Sequence, residues 1–363
     1  MGSASILELP GKPQHNLLER LMPTLALALP FLILGYIADS RLFISNEHAR
    51  LLSNALVAAD RGRAELIGYT YPPLPFLMML PWPHVITVMV LAALSAGALT
   101  RALWQHLSCL PIPSVARIAL LTASMAVPSS LYITTQSLVE TLALYILVVS
   151  WANYLAFVRQ GETKAGFTAG LALGAALFIS QYTLVYAVLF VFLTPTLLAT
   201  RESGSGISTA LVLMFPVAVS LAAWSYISWA FTGDPSHFLR APGSSLLVYT
   251  RPDGVELSLG WSLALRSTLR DLIASPLYLG IGLVVALLWP VRLIVFFIPA
   301  VIITVVRAFG LVYPDYFAIG TYTVTALIAL RPSMPRRIWP VLLAISAIHL
   351  VVGYYAPLQG EMG

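Results

Sequence analysis

Two carboxylates stand out in this sequence because of their surroundings. Glu47 belongs to the tract "SNEHARLLSNAL", in a charge-rich stretch after the first apolar segment, and Glu140 lies within the apolar tract "TQSLVETLALY". A carboxylate within hydrogen-bond reach of a nucleophile can act as a general base. The alternative for Glu47 is an acid in the first turn of a helix, which complements the helix dipole. For Glu140 the alternative is a hydrated boundary residue or a structural ion pair, although an ionisable group in a span is by default a functional candidate.

The composition assigns both acids to a membrane protein. The 363 residues are 59% hydrophobic and 10% charged, and the mean hydropathy is +0.86. These values exclude an ordinary soluble protein, in which about half of the residues are apolar. Apolar runs of roughly 18 residues or more predict membrane-spanning helices. We predict an all-α polytopic membrane protein with about eleven spans. They lie near residues 21–39, 84–103, 114–133, 137–157, 165–180, 182–199, 207–231, 273–290, 292–311, 313–331 and 338–356.

The basic residues of the short loops predict the orientation of these spans. They favour a cytoplasmic amino terminus, with residues 1–20 as a cytoplasmic segment and the first apolar run as an uncleaved span. Two long segments, 39–83 and 232–272, then lie on the outer side. We expect one membrane domain, 1–363, with its chemistry facing outward. The net charge of +5 fits topology signals better than nucleic-acid binding.

The first outer loop, 39–83, predicts a helix that lies in the membrane interface. Ser45 or Asn46 can cap this helix, and Glu47 falls in its first turn. The helix ends near Gly62, and the proline-rich stretch 71–75 predicts an extended turn. Its apolar stripe consists of Leu52, Leu56 and Ala59. The second outer loop ends in a partly amphipathic stretch, 261–273.

Other polar and aromatic residues of the outer loops could contact a ligand. Arginines can bind a lipid phosphate, although contact with anionic headgroups is the alternative; they are Arg61, Arg63, Arg240 and Arg251. Tyr69 and Tyr71 are interfacial aromatics or, alternatively, stack on a sugar. Asp234 is expected to cap its own backbone in a turn. His48 lacks the clustered spacing of a metal site, so no metal is predicted.

Several tracts, in this order, resemble the GT-C superfamily of integral membrane glycosyltransferases. They are similar to its bacterial branch, which includes protein O-mannosyltransferases and aminoarabinose transferases. The tracts are the acid-bearing "SNEHARLLSNAL", the closing "YTYPPLPFLMMLP", the acid-containing "TTQSLVETLALY" with the small-residue-rich "AGFTAGLALGAALFISQY", and "WAFTGDPSHFLRAP". The resemblance covers roughly residues 20–245.

The resemblance implies an enzyme that takes a sugar from a polyprenyl-phosphate carrier and passes it to an acceptor on the non-cytoplasmic face. It implies a bacterial cytoplasmic membrane, the lipid-linked sugar as donor, and neither metal nor other cofactor. Glu47 would be the general base, Glu140 the second catalytic acid, and the four outer-loop arginines would bind the carrier phosphate. The cavity around the substrate would include Asn46, His48, Tyr69, Tyr71 and Asp234.

Two departures from the family pattern keep other functions open. The family pairs Asp with Glu in its first loop, but here the pair is Asn46 and Glu47, and an amide has no basic lone pair for a proton. The small-residue helix is followed by Ser180 and Gln181 instead of a basic residue. The alternatives are an inactive GT-C-like scaffold or accessory subunit with partner chains, and a transporter or lipid flippase. For a transporter we would expect internal repeats and broken spans.

Overall fold

The computed structural model describes residues 17–62, 72–180, 182–197, 205–240, 260–290, 293–309 and 313–355. These residues form helices and connecting turns, with no strand among them. The helices are α1 (Leu17–Ser40), α2 (Asn46–Arg61), α3 (Pro73–Met79), α4 (Val85–Ser108), α5 (Ser114–Met125), α6 (Pro128–Gln136), α7 (Leu138–Gln160), α8 (Thr163–Leu177), α9 (Tyr182–Leu197), α10 (Ser205–Thr232), α11 (His237–Arg240), α12 (Gly260–Ile273), α13 (Pro276–Leu288), α14 (Leu293–Ala308), α15 (Asp315–Ala329) and α16 (Trp339–Tyr355), which follows a short 3-10 turn.

Several of these helices are long and apolar enough to cross a membrane. Within the described residues there are five such helices, Leu21–Ser40, Val85–Ser108, Leu138–Val158, Ile207–Thr232 and Arg336–Tyr355. Two further helix pairs would qualify as single spans but are bent, α5 with α6 by 68° and α12 with α13 by 87°. The chain is therefore an α-helical integral membrane protein, and its described residues contain five to seven candidate spans. The count of eleven stays a prediction.

The bend between α5 and α6 corrects the prediction of an unbroken span over 114–133. Pro128 begins α6, and a proline lacks the backbone N–H that would continue the hydrogen bonds of the preceding helix. Its ring also disfavours the helical conformation of Val127. The apolar run is continuous in sequence, but the helix is not.

The chain divides into two compact units. The first comprises Met1–Leu99 with Thr135–Leu247, and the second comprises Thr100–Thr134 with Val248–Gly363. The prediction of a single membrane domain concerns how these units combine, and it stays a prediction.

In the first unit, α8 packs closely against α7 and α10, and its glycines make this possible. A Cβ on Gly166 would lie 2.7 Å from the Phe157 ring of α7, and a Cβ on Gly174 would lie 2.6 Å from Ser220 Oγ of α10. At Gly170 a Cβ would collide with the backbone carbonyl oxygen of Leu213. Small residues allow two helix backbones to approach in this way inside a membrane. The small-residue tract therefore fixes the distance between α8 and α10.

The start of α3 corrects the prediction of an extended turn at the proline-rich stretch. Pro72 is extended, but the helix begins at Pro73. Prolines are tolerated in the first turn of a helix because those N–H groups have no partner within the helix. Leu74 N–H donates to the Phe178 carbonyl at 3.0 Å, and α3 packs against α2. Phe76 and Met79 of this short helix are buried.

In the second unit, a buried ion network joins α12, α14 and α15. Arg307 is buried, and its guanidinium donates to Asp271 Oδ2 at 2.6 Å, to Asp315 Oδ1 at 2.9 Å and to the Tyr313 carbonyl at 2.9 Å. The more exposed Arg270 also pairs with Asp315. Two arginines therefore balance two aspartates, and the buried guanidinium has acceptors on three sides.

We expect Gly170→Ala to destabilise the protein by about 1–3 kcal/mol, because the added methyl meets backbone, which cannot move aside as a side chain can. The unfolding free energy in mixed micelles measures this effect. Leu171→Ala is the matched control, since Leu171 is exposed on the same helix. Equal stability of Gly170→Ala and wild type would contradict the packing of α8 on α10.

We expect Arg307→Met to destabilise the protein by about 3–5 kcal/mol, because the Asp271 charge remains buried without its main partner. The double variant Arg307→Met/Asp271→Leu removes both charges and should recover most of this loss. Asp315 keeps Arg270 in both variants. A double variant that is no more stable than Arg307→Met in the same unfolding experiment would show that the buried charge is not the cause.

Candidate functional site

The helix that carries Glu47 forms for local reasons that the sequence displays. Ser45 is the N-cap of α2 and its hydroxyl accepts the His48 N–H at 3.1 Å. Gly62 follows the last turn in the left-handed conformation at φ 59°, which glycine adopts without steric cost. The predicted start, end and first-turn acid are therefore confirmed.

The buried face of α2 differs from the predicted stripe. Leu51, Ala55 and Ala58 are buried, whereas Leu56 is 48% exposed, and Ala59 is exposed as well. The predicted stripe of Leu52, Leu56 and Ala59 is therefore wrong by one residue, because the buried face consists of the residue before each of these three.

The second element of the site is the start of α7. Ser137 is its N-cap, and the Ser137 hydroxyl oxygen accepts the Glu140 N–H at 3.3 Å. The first N–H groups of a helix have no partner within the helix. In α7 the remaining ones point towards α2.

Glu47 and His48 provide acceptors for these N–H groups. Val139 N–H donates to Glu47 Oε1 at 2.9 Å, and Leu138 N–H donates to His48 Nε2 at 3.1 Å. The Ser137 hydroxyl donates to Glu47 Oε2. Side chains from the first turn of α2 therefore cap α7 across about ninety residues of sequence.

Ser45 joins the same two segments through two further hydrogen bonds. Its hydroxyl donates to the Gln136 carbonyl at 2.5 Å, and its N–H donates to Gln136 Oε1 at 3.3 Å. Ser45, Glu47 and His48 together with Gln136, Ser137 and the first turn of α7 are hereafter the α2–α7 junction. All of these residues belong to the first compact unit.

The junction changes the acidity of both ionisable side chains from α2. Burial raises the pKa of Glu47 above its usual value, while the Ser137 hydroxyl, the Val139 N–H and the Arg50 charge act in the opposite direction. Burial lowers the pKa of His48 to about 4. The imidazole is therefore neutral at pH 7, as its acceptor role towards Leu138 N–H requires.

Glu140 is the third residue of α7 and is buried, with 7% of its surface exposed. Its N–H and the Glu47 carboxylate share one partner, the Ser137 hydroxyl. The structure thus brings the two acids to the same helix end. The two carboxyl groups have different surroundings, since Glu47 belongs to α2 and Glu140 belongs to a candidate span.

Two of the other predicted site residues, Asn46 and Asp234, are described with their side chains, and neither takes part in the hydrogen bonds of the junction. Asn46 is exposed, and Asp234 accepts the Ser236 N–H at 2.8 Å, which confirms its predicted turn. The remaining predicted site residues lie outside the described part of the chain. This holds for the whole residue at Arg63, Arg251, Tyr69 and Tyr71, and for the side chain at Arg61 and Arg240.

Two residues of the junction, Ser137 and Gln136, and the neighbouring Arg50 were missed in the sequence. Ser137 could have been found, since Ser137 and Glu140 have the S-x-x-E spacing of a helix start. Arg50 could have been found as well, because it follows Glu47 by three residues, a spacing at which opposite charges on a helix interact. Gln136 carries no such signal, because its contact with Ser45 is distant in sequence. Among the described residues, no three His, Cys, Asp or Glu side chains lie together in a way that could hold a metal ion.

Comparisons of the chain with protein-family models, with curated proteins and with solved structures find no match.

We expect His48 to make stability depend on pH. The pKa of His48 in the folded protein is about 4, below the ordinary 6.5. Between pH 6.5 and pH 4, His48 therefore binds a proton in the unfolded chain and not in the folded one. The stabilising contribution is complete above the ordinary value and is lost as the pH falls towards the folded pKa. His48→Gln keeps an acceptor but does not titrate, so the advantage of wild type over this variant should shrink by about 3 kcal/mol on acidification.

The measurement is the unfolding free energy of both proteins in mixed micelles between about pH 7.5 and pH 4. Glu47 shifts stability in the opposite direction because its pKa is raised. It is common to both proteins, so the comparison removes most of its effect. A difference that stays constant with pH would contradict a neutral, buried His48.

Proposed function

We propose that this chain is an integral membrane glycosyltransferase that moves a sugar from a polyprenyl-phosphate carrier to an acceptor on the non-cytoplasmic face. The observation that supports it is the meeting of Glu47 and Glu140 at the first turn of α7. The Ser137 hydroxyl donates to the carboxylate of Glu47, about ninety residues away in sequence, and accepts the backbone N–H of Glu140. The tracts that carry these two acids are among those on which the resemblance to GT-C enzymes rests.

In the proposed reaction, Glu47 is the general base. Its carboxylate takes the proton of the acceptor hydroxyl while that oxygen forms a bond to the anomeric carbon. The bond from this carbon to the carrier phosphate breaks, and its electron pair leaves with the phosphate, so the anomeric configuration inverts. Each carboxylate oxygen has two acceptor positions, so the bonds from Val139 and Ser137 leave capacity for the acceptor.

The raised pKa of Glu47 suits this role. A general base works best when its pKa approaches the working pH, because it must be ionised and yet bind a proton firmly. Burial provides the upward shift, and the Ser137 hydroxyl, the Val139 N–H and Arg50 limit it. Glu140 would position the acceptor, and Arg61, Arg63, Arg240 and Arg251 would bind the carrier phosphate.

A second candidate function is a GT-C-like scaffold without catalysis. The junction favours it because the two Glu47 oxygens already hold the first turn of α7, which is a sufficient structural role for this acid. Asn46, at the position of the family aspartate, is exposed and cannot accept a proton. Such a scaffold would bind lipid or a partner chain of a membrane complex.

The experiment is sugar release from a panel of polyprenyl-phosphate sugars by the purified chain, with Glu47→Gln beside it. We expect the variant to lose about 10²–10⁴-fold in turnover, the usual contribution of a general base. Carrier binding should persist, since Gln offers an oxygen to the Val139 N–H and keeps α7 capped. Asp60→Asn is the matched control, because Asp60 is an exposed acid of the same helix.

Carrier binding without turnover, unchanged in Glu47→Gln, would refute the transferase and favour the scaffold. Equal turnover of Glu47→Gln and wild type would remove Glu47 from the chemistry. The unfolding midpoint of each variant shows whether a loss of turnover reflects the reaction or the fold.

A further inference from the structure

Helix α12 in the second unit has an exposed apolar stripe. Trp261, Leu265, Leu269 and Ile273 recur at every fourth residue, and 48–68% of each is exposed. A neighbouring face, with Ala264, Thr268 and Asp271, is buried, and α12 packs against α14. Residues four apart lie along one side of a helix, so the stripe runs the length of α12 and points away from the protein.

Two arginines border this stripe. Arg266 and Arg270 are also four residues apart, and each follows a stripe residue by one position, so they form an edge next to the stripe. The Arg270 side chain is 55% exposed and pairs with Asp315. Arg266 is exposed, and it makes no hydrogen bond or ion pair with any residue that the structure describes. The edge therefore presents positive charge towards the surroundings.

The direction of α12 follows from its bend with α13. The two helices meet at 87°, where Ser275 precedes Pro276 and cannot continue the helix easily. Helix α13 contains no charged residue and packs against α15 and α16, and α16 is part of a candidate span. If α13 runs across the membrane, a helix at a right angle to it lies close to the membrane plane.

A membrane-crossing path for α12 conflicts with its sequence. Its 14 residues include Arg266, Arg270 and Asp271, whereas the 13 residues of α13 include no charged residue. Such a path would also carry Arg266 into the hydrocarbon, which is costly for an arginine. In the plane, the stripe can enter the acyl region while the arginines remain at the level of the phosphates.

We propose that α12 is an interfacial helix that binds anionic phospholipid headgroups of the surrounding bilayer through Arg266, with the Trp261–Ile273 stripe in the acyl region. Trp261 fits this depth, since tryptophan is enriched at membrane interfaces. The occupant is the bilayer's own anionic lipid, because a positive edge beside an apolar stripe reproduces the order of phosphate and acyl chain in a phospholipid. This binding does not depend on the proposed sugar transfer.

The first test measures depth. Single cysteines replace Leu265, Leu269 or Ile273 in the full chain carrying Cys109→Ser, and each is spin-labelled in vesicles of phosphatidylcholine with phosphatidylglycerol. Relative accessibility to oxygen and to a nickel chelate gives the depth of each label. For an in-plane helix the three depths should agree within a few ångströms, whereas a crossing helix would change depth by about 12 Å from the first to the third.

The second test measures lipid charge. A fluorophore on Leu265→Cys is quenched by spin-labelled phosphatidylglycerol or by spin-labelled phosphatidylcholine at equal mole fraction. We expect preferential quenching by the anionic lipid, and Arg266→Gln should lower this preference by up to about fivefold, the contribution of one basic residue near an anionic surface. Arg337→Gln is the matched control, since it removes an equal charge from an exposed position outside α12.

The proposal is supported by equal depths together with a preference that Arg266→Gln lowers and Arg337→Gln does not. It is overturned by depths that increase steadily along α12, or by equal quenching with both lipids. It is also overturned if only a spin-labelled polyprenyl phosphate quenches the fluorophore, which would assign the edge to a carrier lipid. All three labelled positions are exposed, and a monodisperse elution profile in detergent confirms that each variant folds.

Discussion

The first N–H groups of α7 have no acceptor within their own helix, and this is the constraint on which the described part of the first unit depends. A helix that begins inside a membrane protein must find acceptors for these groups, because water is scarce there. The acceptors here are Glu47, His48 and Ser137, and two of the three come from another helix. The position of α2 is therefore set by the backbone of α7, and α3 packs against α2.

Close helix packing and charge balance play the corresponding parts elsewhere. In the first unit, glycines let α8 approach α10 until backbone meets backbone. In the second unit, Arg307 holds α12, α14 and α15 together through two aspartates and a carbonyl. Both arrangements follow from the low polarity of the environment, where dispersion contacts and paired charges replace much of the hydrophobic driving force.

Features of the fold that depend on neighbouring residues could be predicted from the sequence, and contacts between residues far apart in the chain could not. The bounds of α2 follow from Ser45 and Gly62, because a cap and a left-handed glycine act within one turn of the helix end. The pairing of Glu47 with Val139 could not be predicted, since it joins segments far apart in the chain. The proline stretch at 73–75 was misread because the same residue type suits both an extended turn and the first turn of a helix.

Both carboxylate oxygens of Glu47 accept hydrogen bonds from the start of α7, and this has an evolutionary consequence. A descendant of this chain that had lost every enzymatic activity would still be selected to retain Glu47, because the start of α7 would lose a cap without it. Asn46 is exposed and makes none of the hydrogen bonds of the junction, so its identity would drift first. In sequences related to this one, an acid at the Glu47 position is therefore a sign of retained architecture.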